Sequence, residues 1–455
     1  MTDKKILTSD EVSEIVRKLG IEFAVVHNPS PVYPEVELYP LAPKITAPLK
    51  ELSAVLLDLE GTVCSTLELK LYSLEHVIRT ISGRRTKDEW KGLDPLIDHP
   101  NLLGISVQEA IRYLIQRYHN FIKTEDLKEA YLYSVLWTII LSRSEDRKDE
   151  ARRSLRHLGL NEMLKDSKLE ELILQKEFNK FNSNIITNYF LHKYGSRLSI
   201  QNFDGTVRAS LEIFFQHYNQ ILELIKYGEG SNLAEEISGK SDVPLVRPRP
   251  SIPLLFALVK GWLGEDVTFL FDEINQELKT KNSQVYRINS LEDAKEKLGK
   301  LGKYFESHPV KIAIATSSAG YEAEIILSEL FHNISHQIRL WKVPQAKKDM
   351  LIEKFADFRN IVDVFTTADQ ASRIRPKPHR DLFSIALSHL GFPQSMFSHI
   401  LGFESSENGI IALRASGIGL TAAVPFIRKD FPAASFTLFG GISEAILNHD
   451  LFISL

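Results

Sequence analysis

The sequence predicts an α/β fold: a doubly wound parallel sheet with a large all-helical segment inserted after its first strand. Three observations carry this. From about residue 291 short apolar runs alternate with segments of helical spacing, the pattern of βα units in a parallel sheet. Ser53–Leu57 is one more short apolar run, bounded by a turn signal, and reads as a strand buried on both faces. Between the two, roughly residues 66–240, apolar residues recur at three and four, which is helical spacing.

The elements follow in order. "SDEVSEIVRKLG" reads as a helix capped by Ser9 or Asp10 and ended by Gly20. "IEFAVVH" is strand-like. "NPSPVYPEVELYPLAPKITAP" carries six prolines and reads as an extended strap. The first core strand ends in "LLDLEGTVCS". "VQEAIRYLIQRYHNFI", "LKEAYLYSVLWTIILSR" and "ASLEIFFQHYNQILELIKYG" are helices. Prolines through 244–253 interrupt the helical pattern, which resumes in "IPLLFALVKGWLGEDVTFLFDEINQELK". "LEDAKEKLGKLGKYFESH" then leads into the strands "VKIAIATSS", "IVDVFTTAD", "SHILGFESS", "IGLTAAV" and "SFTLFGGI". The expected organisation is an N-terminal extension over 1–49, a core from 50–65 and 291–455, and a helical insertion over 66–290. A second insert is expected at about 332–358.

Composition narrows the function. The chain has 455 residues, 44% of them apolar and 25% charged, with a net charge of −4. That is a globular mix and not the strongly basic balance of a nucleic-acid or membrane-surface binder. No stretch reaches the roughly 18 uncharged apolar residues of a membrane span, and the polar N-terminus has no signal-like apolar region. Cys64 is the single cysteine, so no intramolecular disulfide forms. A cytoplasmic location is expected; oligomeric state is left open.

In doubly wound sheets, ligands bind beyond the carboxyl ends of the strands. The residues there are Asp58, Glu60, Gly61 and Thr62; then Thr316, Ser317 and Ser318; then Lys377; then Glu404, Ser405 and Ser406. Acids, hydroxyls and a lysine from four elements thus gather at one edge. A second DGTV, at 204–207, follows "RLSIQNF" and not a buried strand; Asp204 or Thr206 is read as the cap of a helix starting near Val207. His192 and His217 have no second histidine at ligand spacing and are assigned ordinary helix roles.

Taken in order, "LLDLEGTV", "IAIATSS", "KPHRDLF" and "FESSENG" resemble the four motifs of the haloacid dehalogenase-like superfamily, in its phosphoglucomutase-like and phosphatase branch. The resemblance covers roughly 50–65 and 291–430. It implies a Mg²⁺-dependent phosphatase acting on a small phosphorylated metabolite through an aspartyl-phosphate. Asp58 would be the nucleophile and Glu60 the general acid and base. Gly61, Thr316, Ser317 and Lys377 would bind the phosphoryl group. Asp58, Glu60, Glu404 and Ser405 would hold the metal, and the helical insertion would be an enlarged cap that opens and closes over the site. The chain departs from the pattern twice. Arg380 replaces the second proline of motif three, and Ser405 stands where that branch has the aspartate that is the main metal ligand. A phosphomutase and a non-catalytic binding protein of the same fold are the alternatives. Arg84, Arg85, Arg247 and Arg249 are read as surface residues that could meet an anionic group.

Overall fold

A computed structural model describes residues 6–28, 33–84, 86, 88–238, 243–280, 290–370, 375–426, 428–447 and 451–453. The chain forms two compact units, one of residues 1–65, 246–320 and 330–455, the other of 66–245 and 321–329.

The first unit is built on a six-stranded sheet. An antiparallel hairpin, β1 (Phe23–His27) and β2 (Val36–Pro40), precedes it. The strand β3 (Ala54–Asp58) comes next, followed by a two-residue pair of β4 (Cys64–Ser65) and β5 (Arg247–Pro248). The sheet is completed by β6 (Lys311–Ala315), β7 (Val364–Thr366), β8 (Ile400–Glu404), β9 (Leu420–Ala423) and β10 (Phe436–Thr437). Its spatial order is β10-β9-β8-β3-β6-β7, and every pairing is parallel. All five residues of β3 and of β8 are buried, which explains their unbroken apolar runs. From β3 the chain moves outward through β6 and β7, then returns to the other side of β3 for β8, β9 and β10. The reversal places the switch point between β3 and β8, where such sheets open a crevice.

Helices Asp381–Leu390 and Glu407–Ala415 supply Leu382, Phe383, Ala386, Ile410 and Leu413 to one core with Leu56 and Ala313. Leu56 is fully buried in this core, where truncation to Ala costs about 2–5 kcal/mol.

Several expectations change here. The N-terminal helix is capped by Thr8, whose side chain and that of Glu11 form a capping box. Part of the expected strap is β2, because Val36–Pro40 needs only one paired edge and its proline sits at the end. Residues 246–280 belong to the first unit, and 281–289 lie outside the described residues. All eight residues of Ile252–Val259 are buried, so this helix is not a two-faced surface helix of the insertion. The expected insert at 332–358 is the continuation of helix Gly320–Leu340 and a following helix, Gln345–Lys354.

The second unit is all-helical. Its central helix, Thr124–Leu141, is buried almost all round from Leu127 to Ile140. Helix Phe203–Lys226 begins with Asn202 as its cap, the side-chain oxygen accepting from Gly205 N at 2.7 Å. Asp204 lies in the first turn, paired with Arg112 at 2.7 Å, so the second DGTV is a helix start as expected, but the helix begins at Phe203 and its cap Asn202 precedes the expected Asp204 or Thr206 by two or four residues. His217 stacks on His76 with ring centroids 3.7 Å apart. Among the described residues no helix is long and apolar enough to cross a membrane.

Candidate active site

Strand register brings the site together. Asp58 is level with Ala315 of β6, and Leu57 with Phe403 of β8, so Asp58, Thr316 and Glu404 end at one edge. Asp58 and Glu404 flank the switch point. Lys377, from the loop after β7, enters between them: its Nζ lies 2.5 Å from Asp58 Oδ1 and 2.5 Å from Glu404 Oε1. It also sits 4.9 Å from the centroid of the Phe383 ring.

Asp58 and Glu404 are buried and the Lys377 side chain is only 11% exposed, and the pKa values of Asp58 and Lys377 move accordingly. Burial pushes Asp58 up to about 7; Lys377 opposes this, while the Glu404 and Glu60 carboxylates add to it. Burial works against the Lys377 ammonium, but the two carboxylates outweigh it and hold the lysine above its ordinary value.

Glu404, the last residue of β8, is fixed by the cap of the helix that follows it. Its Oε2 accepts from Ser406 N at 2.8 Å and from Ser406 Oγ at 3.0 Å, at the start of helix Glu407–Ala415. A side chain at Gly409 would overlap this carboxylate, which gives the glycine of "FESSENG" its reason. Gly61 has φ +92°, and a Cβ there would lie 2.5 Å from Ser405 Oγ and 2.6 Å from Phe426 Cε2. The turn after β3 closes through Gly61 N donating to Cys64 O at 2.7 Å.

Thr316 is buried, its N–H donating to Thr366 O at 2.9 Å and its Oγ1 accepting from Ser318 N at 3.1 Å. Ser318 Oγ donates to Glu60 Oε1 at 2.8 Å and so orients the second carboxylate. Ser317, named with Thr316 from the sequence, is exposed, with no hydrogen bond among the described residues. Glu407 is paired with Lys429 at 3.0 Å and does not join the site. Cys64 is fully buried, and burial raises its thiol well above the usual range, so it is inert.

Sequence reasoning missed the support behind Lys377. Arg375 donates to Asp381 Oδ2 at 2.8 Å and to Glu37 Oε2 at 2.9 Å, tying the loop to β2. Tyr39 OH donates to Glu37 Oε2 at 2.5 Å and lies 2.7 Å from His379 Nδ1. Since the phenol spends its one proton on Glu37, His379 Nδ1 carries the proton of the second bond. The hairpin is anchored in turn by the buried Arg414, which donates to Ala42 O at 2.9 Å and pairs with Glu22. Alternation in "VELYP" signals the strand but not what it buttresses.

Of the four arginines, Arg84 lies over the Phe121 ring at 3.9 Å within the helical unit. Arg85 falls outside the described residues. Arg247 lies on β5. Arg249 is half-buried in the first unit, its guanidinium 4.5 Å from the Phe426 ring centroid.

The donors do not fit the magnesium ion that the motif resemblance implies. Mg²⁺ takes six oxygens in near-octahedral geometry, with carboxylates offsetting its charge. One oxygen of Asp58 and one of Glu404 are engaged by Lys377, and the other Glu404 oxygen accepts two bonds from Ser406. Ser405 is neutral. Among the described residues no group of three or more His, Cys, Asp or Glu side chains could hold a metal ion.

No protein-family model matches the chain, and no curated protein does. Several solved structures are similar to it. CbbY from Rhodobacter sphaeroides in complex with phosphate is 13% identical with a TM-score of 0.35, over 86% of this chain and 96% of that one. A putative beta-phosphoglucomutase from Thermotoga maritima is 15% identical with a TM-score of 0.34, over 87% and 97%. A HAD hydrolase of family IA, variant 3, from Entamoeba histolytica is 12% identical with a TM-score of 0.28, over 82% and 83%. Likeness at this level carries nothing about activity, which rests on the residues themselves. The fold is the doubly wound α/β sheet with a helical unit after its first strand, and three of the sequence motifs stand at strand ends while the one with Lys377 lies in the loop after β7.

Proposed function

We propose that the chain is a phosphatase acting on a small phosphorylated metabolite, with Asp58 as the phosphoryl acceptor. The observation that carries this is the Lys377 bridge between Asp58 and Glu404 at the switch point. A phosphate monoester is anionic and resists attack by a carboxylate unless fixed positive charge stands beside the phosphoryl group. Lys377 is such a charge, held within reach of the attacking oxygen. Asp58 would attack phosphorus as the ester P–O bond breaks, and Glu60 would give its proton to the leaving alkoxide. Water would then attack the aspartyl-phosphate, losing its proton to Glu60; the acyl-phosphate P–O bond breaks and inorganic phosphate leaves. Ser318 keeps Glu60 aimed through the two steps, and Thr316 contributes a hydroxyl beside them.

A second reading, a phosphate-binding protein without turnover, is favoured by one observation: Ser405 replaces the acid that the motif carries. Release of phosphate from an aryl phosphate and a metabolite panel, with and without Mg²⁺, tests the first reading against Asp58→Asn. Turnover in the parent alone supports it. No release above the variant on any ester sinks it and leaves the binding protein.

A further inference from the structure

We infer that this site takes a phosphoryl group on two side-chain cations, Lys377 and Arg249, with no divalent metal. The inference rests on the reading of the Asp58 edge as a phosphoryl site.

Three observations converge on it. The first is the charge balance at the strand ends. A divalent ion at a phosphoryl site offsets the carboxylates around it and the incoming phosphate. Here Lys377 already bridges both carboxylates that flank the switch point, at 2.5 Å each. The second is the commitment of Glu404. Its remaining oxygen accepts from Ser406 N and Oγ, and its carboxylate lies against Gly409, so it is held in the orientation that serves Lys377. Ser405, next along the chain, brings no charge, and Glu407 is spent on Lys429.

The third is Arg249. The guanidinium lies over Phe426, whose ring edge meets the turn at Gly61, and Arg249 N donates to Val63 O at 2.9 Å. Arg249 is therefore tied by backbone and by stacking to the loop that carries Glu60 and Gly61. It makes no ion pair with a carboxylate among the described residues. A half-buried arginine without an acid is poorly compensated, and a planar fork of donors suits a phosphate. Once Asp58 is ionised, it and Glu404 leave a surplus negative charge beside Lys377, and a second cation lowers the cost of bringing an anion there.

Direct binding measurements decide the matter. Free Mn²⁺, followed by its electron paramagnetic resonance signal, is titrated with the full-length protein and with Ser405→Asp. Inorganic phosphate is titrated calorimetrically into the parent protein in EDTA and in Mg²⁺. The expected results are no Mn²⁺ uptake by the parent up to millimolar metal, uptake by Ser405→Asp, and phosphate affinity unchanged by Mg²⁺. Arg249→Met is expected to weaken phosphate about tenfold in EDTA, with Arg249→Lys recovering part of the loss. Sub-millimolar Mn²⁺ uptake by the parent overturns the inference, as does phosphate binding that requires Mg²⁺ or is indifferent to Arg249→Met. Phosphate bound in neither condition also overturns it. If Ser405→Asp does not fold, as judged by circular dichroism, the parent titrations decide alone. Absent turnover with metal-free phosphate binding intact would remove the phosphatase reading and leave this one standing.

Discussion

Lys377 Nζ lies 2.5 Å from Asp58 Oδ1, a contact across 319 positions of sequence. The same ammonium is equally close to Glu404 Oε1, so one cation serves two buried acids. Removing the cation and removing an acid are therefore unequal changes. Lys377→Met leaves two carboxylates facing each other without compensation and is expected to destabilise by about 3–5 kcal/mol. Asp58→Asn leaves a balanced Lys377–Glu404 pair and is expected to stay within about 1 kcal/mol of the parent or to gain stability. Denaturant unfolding of both variants checks the asymmetry; equal losses would refute it.

The pH dependence follows from the same cluster. The folded-state value of Asp58 is raised from 3.8 to about 7, so the folded protein keeps a proton that the unfolded chain releases. Its contribution to stability is full below about pH 4 and is lost as pH rises through about 7. Asp58→Asn has no such slope. Relative to that variant, the parent should weaken between pH 5 and 8, as read from unfolding midpoints at each pH. Attack requires the ionised carboxylate, so turnover of a phosphate ester should rise over the upper part of that window. A rate that falls there would contradict the assignment of Asp58 as acceptor.

Much of this was legible in the sequence, and the reason is local. Two of the strands that carry the site are short apolar runs ended by the acid that does the work, Leu57–Asp58 and Phe403–Glu404, and a parallel sheet aligns those ends without help from distant residues. What was hidden depended on non-local packing. Nothing in "VELYP" shows that Glu37 and Tyr39 brace the loop of Lys377. Nothing in the proline-rich 244–253 shows that Arg249 returns to stack on Phe426, which is why it read as a surface residue. The boundary near 246 was obscured because Ile252–Val259 has helical composition, and only its complete burial places it with the sheet.

Gly409 tests whether the position of Glu404 matters. In an ordinary helix a Gly→Ala change gains up to about 1 kcal/mol. Here the added methyl would overlap the Glu404 carboxylate, which is held on both sides by Lys377 and Ser406. Overpacking of this kind costs about 1–3 kcal/mol, so Gly409→Ala should destabilise despite the helix gain. Phosphate affinity should fall with it, because Glu404 fixes Lys377. A stabilised variant with unchanged phosphate binding would show that the carboxylate is free to move.

The hairpin supplies the last prediction. Tyr39 and His379 are both buried, and the Tyr39 hydroxyl is the shared atom between Glu37 and His379, two residues beyond Lys377. Tyr39→Phe removes that atom and fills the same space. It leaves the His379 Nδ1–H without its acceptor in a site closed to water, a loss of about 1–3 kcal/mol. Arg375 still holds the loop to Glu37 and Asp381, so the fold should survive. The loop should nevertheless loosen where Lys377 leaves it, and kcat on a phosphate ester should fall more than KM rises. Lowered stability with unchanged kcat would make the hairpin structural only. Lowered kcat at full stability would make Tyr39 a positioning residue for Lys377 with no part in holding the fold.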